Sequence, residues 1–212
     1  MTFAELKTDV ARRLAEANGR VVWSDIEIAT AINEGYAELS DATEWNERTI
    51  GIDLLASRPY YDLRTAVPEP LLGVGPAFDE STNRWLLPTA VRELDAHDRR
   101  WERVTGAPQR LILRGLWWAG LYPRVTSDAG VLRQYYTALP APLSDDTDEP
   151  GFPEVFHDGP VYYALCDLWS LDGETARALA AWQSYLAIEA ALAAYVDERV
   201  ARPIVHGHGG GR

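Results

Sequence analysis

The sequence predicts an α+β fold: amphipathic helices at both ends packed as a bundle, with a β-rich middle insertion forming a small antiparallel sheet or barrel. Three observations predict it. Apolar residues recur at three and four near both termini, short runs of period two fill the middle, and the two patterns are segregated rather than alternating. The boundaries place a helix pair in 2–46, strands with one helix in 47–143, and a second helix pair in 152–199. Together these make one domain, 1–199, followed by a flexible tail over 200–212.

Each element has a local signature. Thr2-x-x-Glu5 is a capping box, Phe3, Leu6, Val10 and Leu14 then mark one helical face, and Asn18-Gly19 stops the helix. Ser24-x-x-Glu27 opens a second helix with Ile28, Ile32, Tyr36 and Leu39 inward, and two such helices joined by few residues make an antiparallel pair. Arg48 to Leu55 alternates with period two and Pro59 to Leu63 follows at once, so a strand pair is expected. Pro68, Pro70, Gly73 and Gly75 read as an interruption. Arg84 to Leu87 reads as a strand, and Pro88-Thr89 starts a helix facing inward through Val91, Leu94 and Trp101. Gln109 to Leu113, Leu116 to Tyr122 and Val131 to Tyr136 read as three further strands.

The acidic run Ser144 to Glu149 reads as a solvated loop, since it lacks the alternating oxygen ligands and turn glycine of a calcium loop. Asp158 is placed to cap a helix that enters at Pro160 and runs through Tyr162, Cys166 and Trp169 to a break at Asp172-Gly173. Leu179, Trp182, Leu186, Ala190, Ala193, Val196 and Val200 then form one apolar stripe, which predicts a long helix buried along that face.

Composition excludes several functions. Among 212 residues there is one cysteine, Cys166, so neither an intrachain disulfide nor a thiolate zinc site is available. The net charge of −12 argues against a protein that grips DNA or an anionic membrane through basic charge. Lys7 is the only lysine beside nineteen arginines and follows no glycine-rich loop, which excludes a Walker-type phosphate site. No stretch approaches the ~20 apolar residues of a membrane span, and the N-terminal residues lack the apolar run of a secretion signal. Synthesis in a cytoplasm, with no membrane partner, is the expectation.

Catalytic residues are scarce. His157-Asp158 is the one pair resembling a base and its orienter, the basis of an alternative reading as an uncharacterised hydrolase, but no serine lies in a nucleophile elbow. His97 lies in a charged helix tail. His206 and His208 on the glycine tail supply too few ligands for a metal, and Cys166 reads as a buried structural thiol. Gly73-Val-Gly75 is not a dinucleotide fingerprint. No cofactor, metal or catalytic residue is expected, and the chain reads as a structural protein.

Several segments resemble tailed-bacteriophage head-to-tail adaptor (connector) proteins. They are Trp23-Ser-Asp-Ile-Glu-Ile28 with Ile32-Asn-Glu-Gly-Tyr-Ala-Glu-Leu39, then Gly120-Leu-Tyr-Pro123. Leu132-Arg-Gln-Tyr-Tyr136 and Leu139-Pro-Ala-Pro-Leu143 follow, and Phe152-Pro-Glu-Val-Phe-His-Asp158 with Tyr162-Tyr-Ala-Leu165 completes the set. Their order and spacing cover about residues 2 to 200. Gly159-Pro160, falling where the family continues its helix, and a long acidic loop are departures. The resemblance implies a homo-oligomeric ring, a dodecamer, between the portal protein and a tail, nozzle or stopper protein in the neck of the virion. Double-stranded DNA would pass through it without specific binding. It also implies that the C-terminal segment docks on the portal, here Arg199, Arg202, Pro203, Ile204, Val205 and His206. Trp117, Trp118, Arg99 and Arg100 are candidates for subunit contacts, since such interfaces favour aromatic residues and arginine. Another neck component, a stopper or tail gatekeeper, is the alternative within the same assembly.

Overall fold

In the computed structural model both N-terminal helices start on the capping boxes that the sequence spells. Thr2 N–H donates to Glu5 Oε2 (2.8 Å) and Glu5 N–H to Thr2 Oγ1 (3.3 Å), opening α1, Phe3–Asn18. Ser24 and Glu27 exchange the same bonds (2.8 and 3.3 Å) at the head of α2, Asp25–Thr43, and Glu44 ends α2 in the left-handed region. The structure describes residues 1–18, 23–56, 58–115, 117–128 and 130–201, and of 16–18 and 199–201 it describes the backbone. The chain divides into two units, Met1–Trp45 with the chain from Pro140 onward, and Asn46–Leu139.

The helical unit adds α5, Asp158–Leu171, and α6, Thr175–Ala201. Phe3, Leu6, Val10 and Leu14 of α1 and Ile28, Ile32, Tyr36 and Leu39 of α2 are buried, as their spacing predicts. They share one apolar core with Val161, Leu165 and Leu168 of α5 and Ala181, Tyr185 and Leu192 of α6. Gly159 and Pro160 do not interrupt α5. Both lie in its first turn, where a missing N–H is one of four that have no helical partner anyway. His157, not Asp158, occupies the N-cap position, and it makes no side-chain cap bond. The buried face of α5 is Val161, Ala164, Leu165 and Leu168, one position round from the expected Tyr162, Cys166 and Trp169, which are half-buried on its flanks.

α6 departs further from expectation. Its covered residues are Ala178, Ala181, Tyr185 and Leu192, while Leu179, Trp182 and Leu186 of the expected buried stripe are 56%, 36% and 41% exposed. The covered face mixes alanines with Tyr185 and Leu192, and the large side chains on the other side of the helix are left outside.

The inserted unit is one curled, seven-stranded, half-barrel sheet in the order β1-β7-β3-β4-β5-β6-β2. The strands are β1 Glu47–Asp53, β2 Tyr60–Asp62, β3 Leu71–Asp79, β4 Arg84–Pro88, β5 Arg110–Arg114, β6 Trp118–Tyr122 and β7 Val131–Ala138. The short helix α3 is Leu63–Ala66 and α4 is Val91–His97. The expected pairing of β1 with β2 does not form: β1 pairs with β7 and β2 with β6, at opposite edges of the sheet. The turn between them has none of the two-residue chemistry that fixes a hairpin. Curling still brings the edges near each other, for Leu55 N–H donates to Tyr61 Oη at 2.9 Å. The sheet is not wholly antiparallel: β4 and β5 run parallel, with α4 and a 3₁₀ turn, Trp101–Arg103, filling the crossover that such a pair requires.

β3 runs through the stretch that reads as an interruption. Its glycines and Pro76 fall where the register with β7 shifts, between Leu71 and Gly73 and between Val74 and Ala77. Bulges of this kind accept glycine and proline. Fully buried Gln134 of β7 donates from Nε2 to the carbonyls of Gly75 (2.9 Å) and Pro76 (3.2 Å), satisfying the backbone that the bulge frees.

Two substitutions test this packing. A Cβ on Gly35 would lie 2.6 Å from Cβ of Tyr163 and 2.9 Å from its Cγ, so the Tyr163 side chain of α5 packs directly on the α2 backbone. Gly35→Ala should therefore lower the unfolding free energy by about 1–2 kcal/mol in a urea titration, overcoming the ~1 kcal/mol that alanine gains in a helix. Asn46 is buried and closes the mouth of the insertion, donating from Nδ2 to the Ala138 carbonyl (2.9 Å). Asn46→Ala strands that carbonyl and should cost about 1–3 kcal/mol in the same assay.

Candidate functional site

The surfaces available for function are built from the outer faces of helices and strands. From Ala178 to Val196 the only charged side chain is Glu189, although a quarter of the whole chain is charged. One face of this segment faces the core; the other presents Leu179, Trp182, Leu186, Ala187, Ala190 and Ala194 to solvent. Trp182 is held by a stack on Tyr185 (5.1 Å between ring centres) and an edge contact with Tyr163 (6.4 Å), so the ridge is preorganised.

α1 carries a contrasting surface. Ala4, Lys7, Thr8, Ala11, Arg12 and Ala15 line a groove of about 500 Å³ together with Asp25 and Asp146. Its cations are paired within the chain, Lys7 Nζ with Asp146 at 2.6 Å and Arg12 with Asp9.

The acidic run is exposed, as read from sequence, but it also holds the start of α1. The carbonyls of Asp148 and Asp146 accept from Phe3 N–H (2.7 Å) and Ala4 N–H (3.1 Å). The Asp148 carboxylate accepts from the backbone N–H groups of Ser144 (2.7 Å) and Asp145 (2.8 Å), which fixes the loop. Asn33 of α2 fastens the preceding linker, giving Nδ2–H to the Leu143 carbonyl (3.0 Å) and accepting Leu143 N–H (2.7 Å).

On the sheet, Trp85 lies between Phe78, met edge-on (5.3 Å between ring centres), and Tyr135, met at a tilt (5.4 Å), and is itself half exposed beside exposed Leu87. Sequence reading missed this cluster because its members lie on β3, β4 and β7, brought together only by strand pairing.

The sequence-nominated residues fall out as follows. His157 is 3% exposed, with Nε2 2.9 Å from the Phe152 carbonyl and Nδ1 2.8 Å from the Met1 amine. Asp158 faces Arg13 at 3.7 Å. Both imidazole nitrogens are engaged in holding the helical unit, so the pair is not a base with its orienter and the hydrolase reading falls. Among the described residues no three His, Cys, Asp or Glu side chains gather as a metal site. Cys166 is half-buried, and burial pushes its thiol up, which keeps it a weak nucleophile. Trp117 packs against the sheet core while Trp118 is 41% exposed, which agrees with one ring in and one out. Arg99 and Arg100 stand exposed on the turn after α4. The tail residues Arg202, Pro203, Ile204, Val205 and His206, and the side chain of Arg199, lie outside the described residues. No described helix is long and apolar enough to cross a membrane.

Among the described residues, the helical core and the inserted half-barrel each leave large apolar side chains uncovered on an outer face, Leu179 and Leu186 on one and Trp85 and Leu87 on the other. The model of the SU10 adaptor protein family matches residues 1–207, and the chain belongs to that family of phage head-to-tail connectors. The family gives it a connector role with head-side and tail-side partners in the neck of the virion. No curated protein matches the chain.

The carboxylates make an acid response testable. Burial alone would raise the Asp9 carboxyl, but the guanidinium groups of Arg13 and Arg12 outweigh it and hold it below the ordinary aspartate range. The N–H groups of Ser144 and Asp145 hold Asp148 low as well. A carboxylate whose folded pKa lies below its unfolded value stabilises fully above that unfolded value, and the contribution fades as pH falls through the folded one. Tm should therefore fall as pH drops below about 4. The double variant Asp9→Asn/Asp148→Asn should show a shallower fall in a pH series followed by circular dichroism.

Proposed function

We propose that the chain is a stave of a ring adaptor, a dodecamer seated between the portal protein and the tail-side neck component, through which the genome passes. The observation that carries this reading is the family match over residues 1–207, which spans the helical unit, the inserted sheet and the segment after α6. In this reading residues 1–199 act as one adaptor domain with the four long helices as an amphipathic bundle, and 200–212 act as a docking tail.

Charge supports the conduit. With a net charge of −12 the wall lacks the excess cations that provide non-specific affinity for DNA, so a duplex slides past. Identical chains close a ring through head-to-tail contacts. Trp118, Arg99 and Arg100 are the exposed aromatic and cationic groups of the inserted unit that this reading assigns to subunit contacts. The tail segment Arg199, Arg202, Pro203, Ile204, Val205 and His206 is assigned to portal docking, where repetition around the ring multiplies modest single contacts.

Mixing the chain with the portal protein of the same virus and imaging by electron microscopy should show rings of twelve seated on the portal. A chain truncated after Arg199 should keep its unfolding transition and lose portal binding. Undiminished docking of the truncated chain overturns the tail assignment, and binding to the tail component without the portal reassigns the protein as a stopper or gatekeeper.

A further inference from the structure

We infer that the outer face of α6 is covered by a second copy of this chain, head to tail, with the α1 groove of that copy as its seat. The inference rests on the ring reading above and names the contact that builds the ring.

A helix that is apolar all round is normally buried all round. α6 comes close to that composition: between Ala178 and Val196 its polar positions are Gln183, Ser184 and the one charge Glu189, yet Leu179, Trp182 and Leu186 stand in solvent at i, i+3 and i+7. The three large side chains span about 10 Å at ~1.5 Å per residue, and exposed Ala187, Ala190 and Ala194 continue the face beyond them.

The occupant follows from three features of the helical unit. First, α1 and α6 each pack chiefly on α2 and α5 rather than on one another, so their outer faces lie on different flanks. A contact that repeats head to tail needs two different surfaces on each copy, and these are two. Second, the shapes complement each other: large residues form a ridge on α6, and Ala4, Thr8, Ala11 and Ala15 leave a row of small side chains along the α1 groove. Ridges seated in grooves are how helices pack. Third, the charges suit an uncharged cover. Lys7 and Arg12 already have Asp146 and Asp9 as partners, so a cover over them strands neither cation, and the remaining charge of the groove, Asp25, lies in the first turn of α2, where the helix end favours a carboxylate. A nucleic-acid partner would instead need cations on the ridge, and α6 has none between Ala178 and Val196.

Cysteine pairing tests the geometry. In a Cys166→Ser background, Ala4→Cys and Ala11→Cys are each combined with Leu179→Cys and Leu186→Cys in the full chain, at high protein concentration and high salt. After mild oxidation at least one combination should give a ladder of disulfide-linked oligomers, and mixing the two matching single variants should give dimers. Efficient linkage of a single α6 cysteine to itself would overturn the proposal in favour of a symmetric α6–α6 contact. A second measurement avoids disulfides. Leu179→Glu/Leu186→Glu alters only exposed positions, so its unfolding transition should match the wild type while subunit dissociation rises ~tenfold or more in sedimentation runs. Rings that form undiminished in this variant would overturn the α6 contact and leave the ring reading standing. Wild-type chains that form no ring, even on the portal, would overturn both.

Discussion

The helical unit depends on closing a chain that leaves at Trp45 and returns at Pro140. Bringing together the ends of a flexible loop that long costs about 4 kcal/mol, which a four-helix core would have to offset before any of its own contacts counted. The inserted sheet removes most of that cost. β1 and β7 are neighbours, Glu47 opposite Thr137, and Asn46 and Ala138 exchange hydrogen bonds at the mouth (2.9 and 3.3 Å). Once the sheet has folded, the helical unit is joined through a short clamp rather than a long loop. The returning chain is then fastened to α2 by Asn33 at Leu143, and by the Tyr36 hydroxyl accepting Gly151 N–H (3.0 Å). Gly151 has no side chain because Trp45 fills the space: a Cβ there would lie 2.6 Å from the indole.

What the sequence revealed follows the range of the interaction involved. Both capping boxes were legible because their bonds span three residues, and the inward faces of α1 and α2 because one face of each helix is apolar. Most strands were legible as segments but not as partners. The pairing of β1 with β7 joins residues far apart in the chain, and nothing near Ser57 encodes it. β3 was illegible for a different reason: Gly73, Gly75 and Pro76 read as breakers until Gln134 of β7 is there to satisfy the bulge. The candidate surface on α6 was visible as a stripe of the correct period, of which Val196 packs on the core while Leu179, Trp182 and Leu186 face outward. Periodicity shows that a helix has an apolar face, but a helix with two needs the fold to say which one is covered.

Part of the arginine-rich basic set is paired at short range. Arg64 pairs with Asp62, Arg48 with Glu69, and Arg133 with Glu80, all in partly exposed positions. Pairs of this kind contribute ~0–1 kcal/mol each, so they order loops and strand edges more than they stabilise the fold. Pairing within the chain leaves its net charge of −12 unchanged. The carboxylate that fixes the acidic loop, Asp148, is held by backbone N–H groups instead of a cation. An acidic surface therefore coexists with an ordered loop at no electrostatic expense inside the unit.

That acidity and the ridge on α6 act over different distances, and the difference suits a protein that works by assembly. Repulsion between chains of −12 extends over a screening length of ~8 Å at physiological salt. Apolar contact gains nothing until water is expelled and surfaces touch. A free chain carrying Leu179, Trp182 and Leu186 uncovered would, on the ring reading, be kept from sticking to its copies by a longer-ranged force than the one that would join them. On the ring reading, the balance reverses when a symmetric docking platform holds several copies at fixed spacing. The platform imposes the close approach that repulsion opposes, and each ridge then meets a seat already in register. An adaptor built this way would stay dispersed until its platform existed, with no covalent or nucleotide-driven step to trigger it.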